Sequence, residues 1–433
     1  MRIPISLTLS LLSAASFAAS AQVQEGPTAA DWKEDIKLFA TKFPALHVKP
    51  FHKMTRAEFD AAINRLLANI DTMTQDQRLC GLQAITAAIG DSHTGINRLP
   101  PALGRRNFRF KLTCYADGVF VETAAPECKH LLGAKLLAVE RMPISKVLPK
   151  LLAVTEGTTM SGRRADVSFR FGPDTLHGVG ISKSLDGATF RFEKDGKIWD
   201  EKATPLPRGP KGPIREGFFY FPGVAPGSNW LDAASGSKPL YLQNWDKPFT
   251  PTFLSKEGIY YIQCNEVEND GGSFSDRFLK AYAEAEKLPI KKFVIDLRLN
   301  GGGNNELLPP VIQALAKSSK LNKKGVLFAI IGGRTQSAAQ NFTNQLQLHT
   351  NVTFVGDPTG ESPNHYGDPV ELQLPKTGIV IHISSIRWHE FPDSDKRNQT
   401  TPDIPAPLTF AQYRQGRDPA MEAIIRYPRK PKS

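Results

Sequence analysis

The chain has 433 residues, 40% of them apolar and 22% charged, with 54 Lys and Arg against 43 Asp and Glu for a formal net charge of +11. This composition excludes a disordered tail, a collagen and a disulfide-dense mini-protein, and the length predicts two or three domains with enough chain to bury a sizeable core. The basic runs Arg208 to Arg215 and Arg426 to Lys432 sit among Pro and Gly without a nucleic-acid motif, so the charge reads as a solvated surface and nucleic acid is not an expected partner.

Taken in chain order, Arg2 precedes an apolar run from Leu7 to Phe17 that closes on Ala19-Ser20-Ala21, the pattern of a secretory signal peptide over residues 1–21. The run is shorter than the roughly 18 to 20 apolar residues that span a bilayer, and no later stretch reaches that length. An exported, periplasmic or secreted protein without stable membrane insertion is expected.

Residues 22–99 read as helices, because Trp32, Ile36 and Phe39 recur at helical spacing, as do Phe59, Ile63, Leu66 and Leu67. Thr55 with Glu58 makes a capping box for the second of these. Residues 100–205 change to short alternating strands, among them Phe108 to Thr113, Val119 to Glu122 and Val167 to Phe171, with a strand, turn and short helix from Leu132 to Val154. Residues 206–250 are rich in Pro and Gly and read as a long connection. From 251 to 415 strands alternate with helices, which implies a mostly parallel sheet with helical crossovers. Residues 416–433 read as a basic tail.

The four cysteines have no metal-ligand spacing, and neither a metal nor another cofactor is expected. Cys114 and Cys128 flank a strand-like stretch and are the expected disulfide, with Cys80 and Cys264 left as buried thiols. Three Asn-x-Ser/Thr sequons occur, at Asn341, Asn351 and Asn398, the first expected to be buried.

Two strand-to-helix junctions can carry chemistry. Phe293 to Gly303 is a buried strand running into three glycines, whose backbone N–H groups can converge on an anion or oxyanion without side-chain obstruction. A nucleotide fingerprint is disfavoured, since the spacing is neither G-x-G-x-x-G nor a phosphate loop closed by Lys and Ser or Thr. Leu327 to Phe342 is a second strand ending in glycines, after which Ser337 opens a helix beside free backbone donors. A hydroxyl nucleophile needs a base, and among the histidines His93 stands apart by lying in the loop Gly90-Asp-Ser-His-Thr94. The plain structural reading of each feature is a tight turn, an N-cap serine and a loop histidine.

Together Gly90-Asp-Ser-His-Thr94, Val294 to Gly303, Thr335-Gln-Ser-Ala-Ala339, Val355-Gly-Asp-Pro-Thr-Gly360 and Pro402-Asp403-Ile404 resemble the tricorn and C-terminal processing serine peptidases, from about residue 30 to residue 410. The resemblance implies a crotonase-like (ClpP-like) spiral α/β catalytic core, preceded by helices and by a PDZ-like β-rich module. It implies a serine peptidase acting on peptides or proteins, with Ser337 as nucleophile. The processing branch takes as base a lysine that would fall near Ser362, and the first lysine after Ser337 is Lys376, so that base is missing. The tricorn branch uses a Ser-His pair, matched by Ser92 and His93. It also uses a glutamate that orients the histidine through the serine, for which Glu390 is the expectation and Glu361 and Glu371 are rivals. Ala338 and Gly302 would supply the oxyanion N–H donors, with Asp296 and Arg298 bracing the turn. Two alternatives stay open: a non-catalytic hydrophobic-ligand or peptide-binding protein on the same fold, and an esterase using the same residues. The oligomeric state is not legible.

Overall fold

The computed structural model describes residues 26–206 and 229–428. The signal-like segment, the Arg208 to Arg215 run and the last basic residues lie outside the described residues. Among the described residues the architecture is mixed α/β, with three sheets and helices distributed among them.

The N-terminal part is three helices, Ala29–Leu46, Arg56–Asn69 and Gln75–Ile89. Thr28 with Asp31 and Thr55 with Glu58 close capping boxes, each satisfying two of the N–H groups that a helix start leaves unpaired. Trp32, Ile36, Phe39 and Phe43 form one buried stripe against Phe59, Ile63 and Leu66. The third helix ends at Gly90, whose left-handed backbone (φ +81°) turns the chain into the loop 91–94.

A hairpin from late in the chain completes this part, which sequence periodicity did not reveal. Strands His365–Gln373 and Val380–Trp388 pair with each other, and the second pairs with Gly95–Arg98. Leu374, Ile379, Ile381 and Ile383 bury themselves in the helical core. The loop 91–94 is thereby clamped between the helices and a segment nearly 300 residues away, with Asp91 accepting from Ser384 Oγ (2.8 Å, |i−j| = 293).

The strand-rich part is one seven-stranded sheet with short helices against it. Val167–Arg170 is a 3-10 turn and not the expected strand, because burial falls on Val167, Ser168 and Arg170 instead of alternating. The expected Cys114–Cys128 disulfide is absent, and all four cysteines are free thiols. The hairpin register places Val119 opposite Cys114, while Cys128 lies beyond Ala124, which faces Phe110 at the far end of the ladder.

The third sheet carries both glycine-bearing junctions. Its order is Ile404–Pro405, Thr353–Gly356, Leu327–Ile331, Lys292–Asp296, Ile259–Cys264 and Phe249–Leu254, parallel throughout except for the last pair. The parallel strands are buried on both faces, as their largely apolar sequences require, and the polar Gln263 and Asp296 are buried with them. Ligand sites in such sheets gather at the carboxyl ends of the strands, and both glycine-bearing junctions leave the sheet there. Residues expected as a basic tail form instead a helix, Pro419–Arg426, which buries Ala420, Met421 and Ile424 against the sheet. No described helix is long and apolar enough to cross a membrane.

Candidate active site

Ser337 follows the strand Leu327–Ile331 and precedes the helix Ala338–His349. Its backbone sits at φ 52°, ψ −129°, a region that costs a non-glycine residue about 1 to 3 kcal/mol and persists only where the surroundings impose it. A strained turn of this kind between strand and helix lifts a side-chain hydroxyl clear of its own backbone. Thr335, fully buried, helps to impose it: its hydroxyl donates to Leu297 O (2.8 Å) and accepts from Gly332 N (3.0 Å), tying the second junction to the first.

The glycine turn lies against the serine. Asn300, also fully buried, donates from Nδ2 to Cys264 O (3.0 Å) and accepts at Oδ1 from Gly302 N (2.9 Å). Gly302 adopts φ +129°, and a Cβ placed on it would stand 2.6 Å from Ser337 Cβ and 3.0 Å from its Oγ. The expectation that the Gly302 N–H is a free oxyanion donor is corrected here: that hydrogen is given to Asn300, and Gly302 serves as the residue small enough to let Ser337 approach. The Ala338 N–H has no acceptor among the described residues. Gly302→Ala is expected to lower turnover about 100-fold by displacing Ser337, with a melting temperature reduced by strain at positive φ, measurable by steady-state kinetics and calorimetry.

Arg298 makes paired hydrogen bonds to Asp418 (2.9 Å each), a second pair to Asp296, and stacks over Tyr241 at 4.3 Å. Asp296 also accepts from Tyr261 (2.7 Å). Both groups are consumed in bracing the turn.

The carboxylate of the site is Glu361. Its Oε1 accepts from Ser92 Oγ and lies 3.4 Å from His93 Nδ1, while its Oε2 accepts from the Ser337 backbone N–H at 2.5 Å. Ser92 Oγ is 3.1 Å from His93 Nδ1. One fully buried side chain therefore joins the Ser-His pair to the backbone of the strained serine; among the described residues no hydrogen bond links Ser337 Oγ directly to His93. The loop is held from behind by Asp91, which accepts from the N–H groups of His93 (3.0 Å) and Thr94 (2.6 Å) and pairs with buried His47 (2.9 Å).

Glu390, the expected orienting glutamate, does not reach Ser92. Its carboxylate takes Asn344 Nδ2 and Gln345 Nε2 (2.5 Å) on the helix after Ser337. Glu371 is half exposed on the outer hairpin, 3.4 Å from His382. The reason lies in the loop 357–361. Gly360 N donates to Thr335 O (3.1 Å) and Thr359 N to Thr400 O (3.0 Å), which folds the chain back onto the second junction and turns Glu361 inward. A signal for Glu361 was present in the sequence, since it adjoins Val355 to Gly360 and stands one residue from the position where the processing branch carries its lysine.

His365 was missed altogether. It is 2% exposed, and its ring lies 6.4 Å from that of His93. Burial pushes Glu361 up, but the charges of His365 and His93 and the hydrogen bonds from His93 and Ser92 outweigh it, bringing its pKa to about 2. Burial alone would lower His93, yet Glu361, with Asp91 and Asp368, raises it above its ordinary value. For His365 burial prevails over Glu361 and the ring is held below its ordinary value. Two imidazoles beside one carboxylate are thus driven apart, one toward the charged form and one away from it. Among the described residues no group of three or more His, Cys, Asp or Glu side chains is arranged to hold a metal ion.

No protein-family model matches the chain, and no curated protein does. Among solved structures it is similar to mature CPAF complexed with lactacystin, at 12% identity and a TM-score of 0.61, over 92% of this chain and 97% of that one. Weaker likenesses include the tricorn protease (12% identity, TM-score 0.39, 92% of this chain and 36% of that one) and the photosystem II D1 C-terminal processing protease (12%, 0.36, 86% and 92%). The CPAF match shows a shared fold over nearly the whole of both chains.

Proposed function

We propose that this chain is an exported serine hydrolase that cleaves peptide bonds through an acyl-enzyme on Ser337. The observation that carries the reading is the strained Ser337 joined through one buried carboxylate, Glu361, to the His93 imidazole. Ser337 Oγ attacks the carbonyl carbon while its proton passes to His93 Nε2, and the carbonyl electron pair becomes an oxyanion received by Ala338 N–H. Collapse of the tetrahedral intermediate breaks the C–N bond, and the leaving amine takes the proton from His93. Water, deprotonated in turn by His93, then releases the acid. Ser92 and Glu361 hold the Nδ1 side of the ring, which leaves Nε2 for the proton transfer in this mechanism. On this reading the strand-rich part is a PDZ-like module and the parallel sheet a crotonase-like catalytic core, supported by the mixed α/β architecture.

A serine-reactive fluorophosphonate should label the wild-type protein and leave Ser337→Ala unlabelled, and equal labelling of both would overturn the reading. Because a raised His93 must be deprotonated to act as base, kcat/KM on a peptide should rise with pH through a midpoint above that of ordinary imidazole. Replacing Glu361 by Gln should move that midpoint down, as a pH-rate profile would show.

A further inference from the structure

A groove of about 620 Å³ opens beside this site, and Glu390 lines it. Three of its walls adjoin the proposed machinery. Asn305 and Glu306 come directly after the glycine turn, Asn341 stands one helical turn beyond Ser337, and Trp388 flanks His93. The last relation is read at Gly367, where an added Cβ would lie 3.2 Å from the Trp388 indole and 3.9 Å from His93 Cε1.

The lining has a defined chemical character. Glu306 and Glu390 are its two carboxylates, and neither has a cationic partner among the described residues. Glu390 is held in place by the neutral amides of Asn344 and Gln345. No Lys or Arg lines the groove, and His349 is its one other titratable group. Leu308, Ile312 and the Trp388 indole give it an apolar wall. Asn341 is 2% exposed, and its Nδ2 has no acceptor among the described residues, a buried donor that native structures ordinarily satisfy.

We propose that this groove is the subsite for a Lys or Arg side chain of the polypeptide substrate, its cationic head received by Glu390 and Glu306 and a neighbouring peptide carbonyl by Asn341 Nδ2. The assignment rests on the hydrolase reading and narrows its substrate class. A long aliphatic stem matches the Leu308 and Ile312 wall while the head stays polar, and an indole face adds attraction for a cation. A neutral polar side chain would leave two carboxylates without a countercharge, and an acidic one would be repelled.

The test separates binding from turnover. In full-length Ser337→Ala protein, a short neutral peptide carrying one Lys walked along its length is compared by fluorescence anisotropy with its norleucine counterparts. At one position Lys should bind about tenfold more tightly. Glu306→Gln, at an exposed side chain with no contact to lose, and Glu390→Gln should each bring that ratio toward one, and Glu306→Lys should favour a Glu peptide. Equal binding of Lys and norleucine peptides at every position, or a preference unchanged in both Gln variants, overturns the proposal. If the preference holds but wild-type protein cleaves none of the peptides, the subsite stands and the hydrolase reading falls.

Discussion

Ser337→Ala is expected to reduce kcat for peptide hydrolysis about 10⁴-fold or more, leaving the residual rate that binding and oxyanion stabilisation alone provide. The hydroxyl makes no capping bond to its own helix, so its removal takes away a reactive group and no structural contact. Circular dichroism and the melting temperature should therefore match wild type while turnover disappears. The backbone strain remains in the variant, since alanine has the same Cβ and the same φ of 52°. Retention of more than a small fraction of wild-type kcat would show that the strained turn serves some other purpose.

Glu361→Gln is expected to lower kcat about 10⁴-fold, the order seen when the acid that fixes a catalytic histidine loses its charge. Gln keeps the volume and can still accept from Ser337 N, but it places an N–H₂ group where Ser92 donates and His93 needs an anion. Glu390→Gln, by contrast, leaves the bonds at Ser92 and His93 untouched, and its effect should appear in the choice of substrate. A comparison of kcat for these two variants on one peptide decides between the carboxylates.

Glu361 also predicts a pH dependence of stability. A carboxyl held at about 2 in the folded protein binds its proton more weakly than in the unfolded chain. Its stabilisation is fully present above the ordinary glutamate range and is lost as pH falls from there through 2. Thermal melts between neutral pH and pH 2 should show a steeper acid loss in wild type than in Glu361→Gln.

Much of the site could be read in the residues themselves. Glycines after a buried strand, a serine opening a helix, and a histidine just past a helix end each describe local chain geometry, and local geometry is written in neighbouring residues. His365 was harder because nothing within a few residues distinguishes it from an ordinary polar position, and Glu361, although it adjoins the Val355 to Gly360 motif, shares with Glu371 and Glu390 a place between Ser337 and Pro402-Asp403-Ile404. The hairpin 365–388 was obscured for the same reason: its apolar residues alternate weakly, and its burial depends on three helices from the other end of the chain.

The Cys114–Cys128 expectation failed on register. Flanking a strand in sequence sets no distance across a hairpin, and four residues along a ladder put the two thiols out of reach. Glu390 failed on direction. Its distance from Ser337 along the chain suited the role, but the chain between them folds out to the hairpin and back, bringing Glu390 to Asn344 and Gln345.

The sequence by itself determined the junctions, the nucleophile candidate and its histidine, because caps, glycine turns and strand-to-helix changes are settled by steric and hydrogen-bonding rules over a few residues. Only the tertiary structure decided which carboxylate meets Ser92 and His93, that a second imidazole lies beside it, and that Glu390 lines a groove. Those contacts join segments up to 269 residues apart, and the direction in which a loop returns is fixed by what it packs against and by nothing in its own spacing.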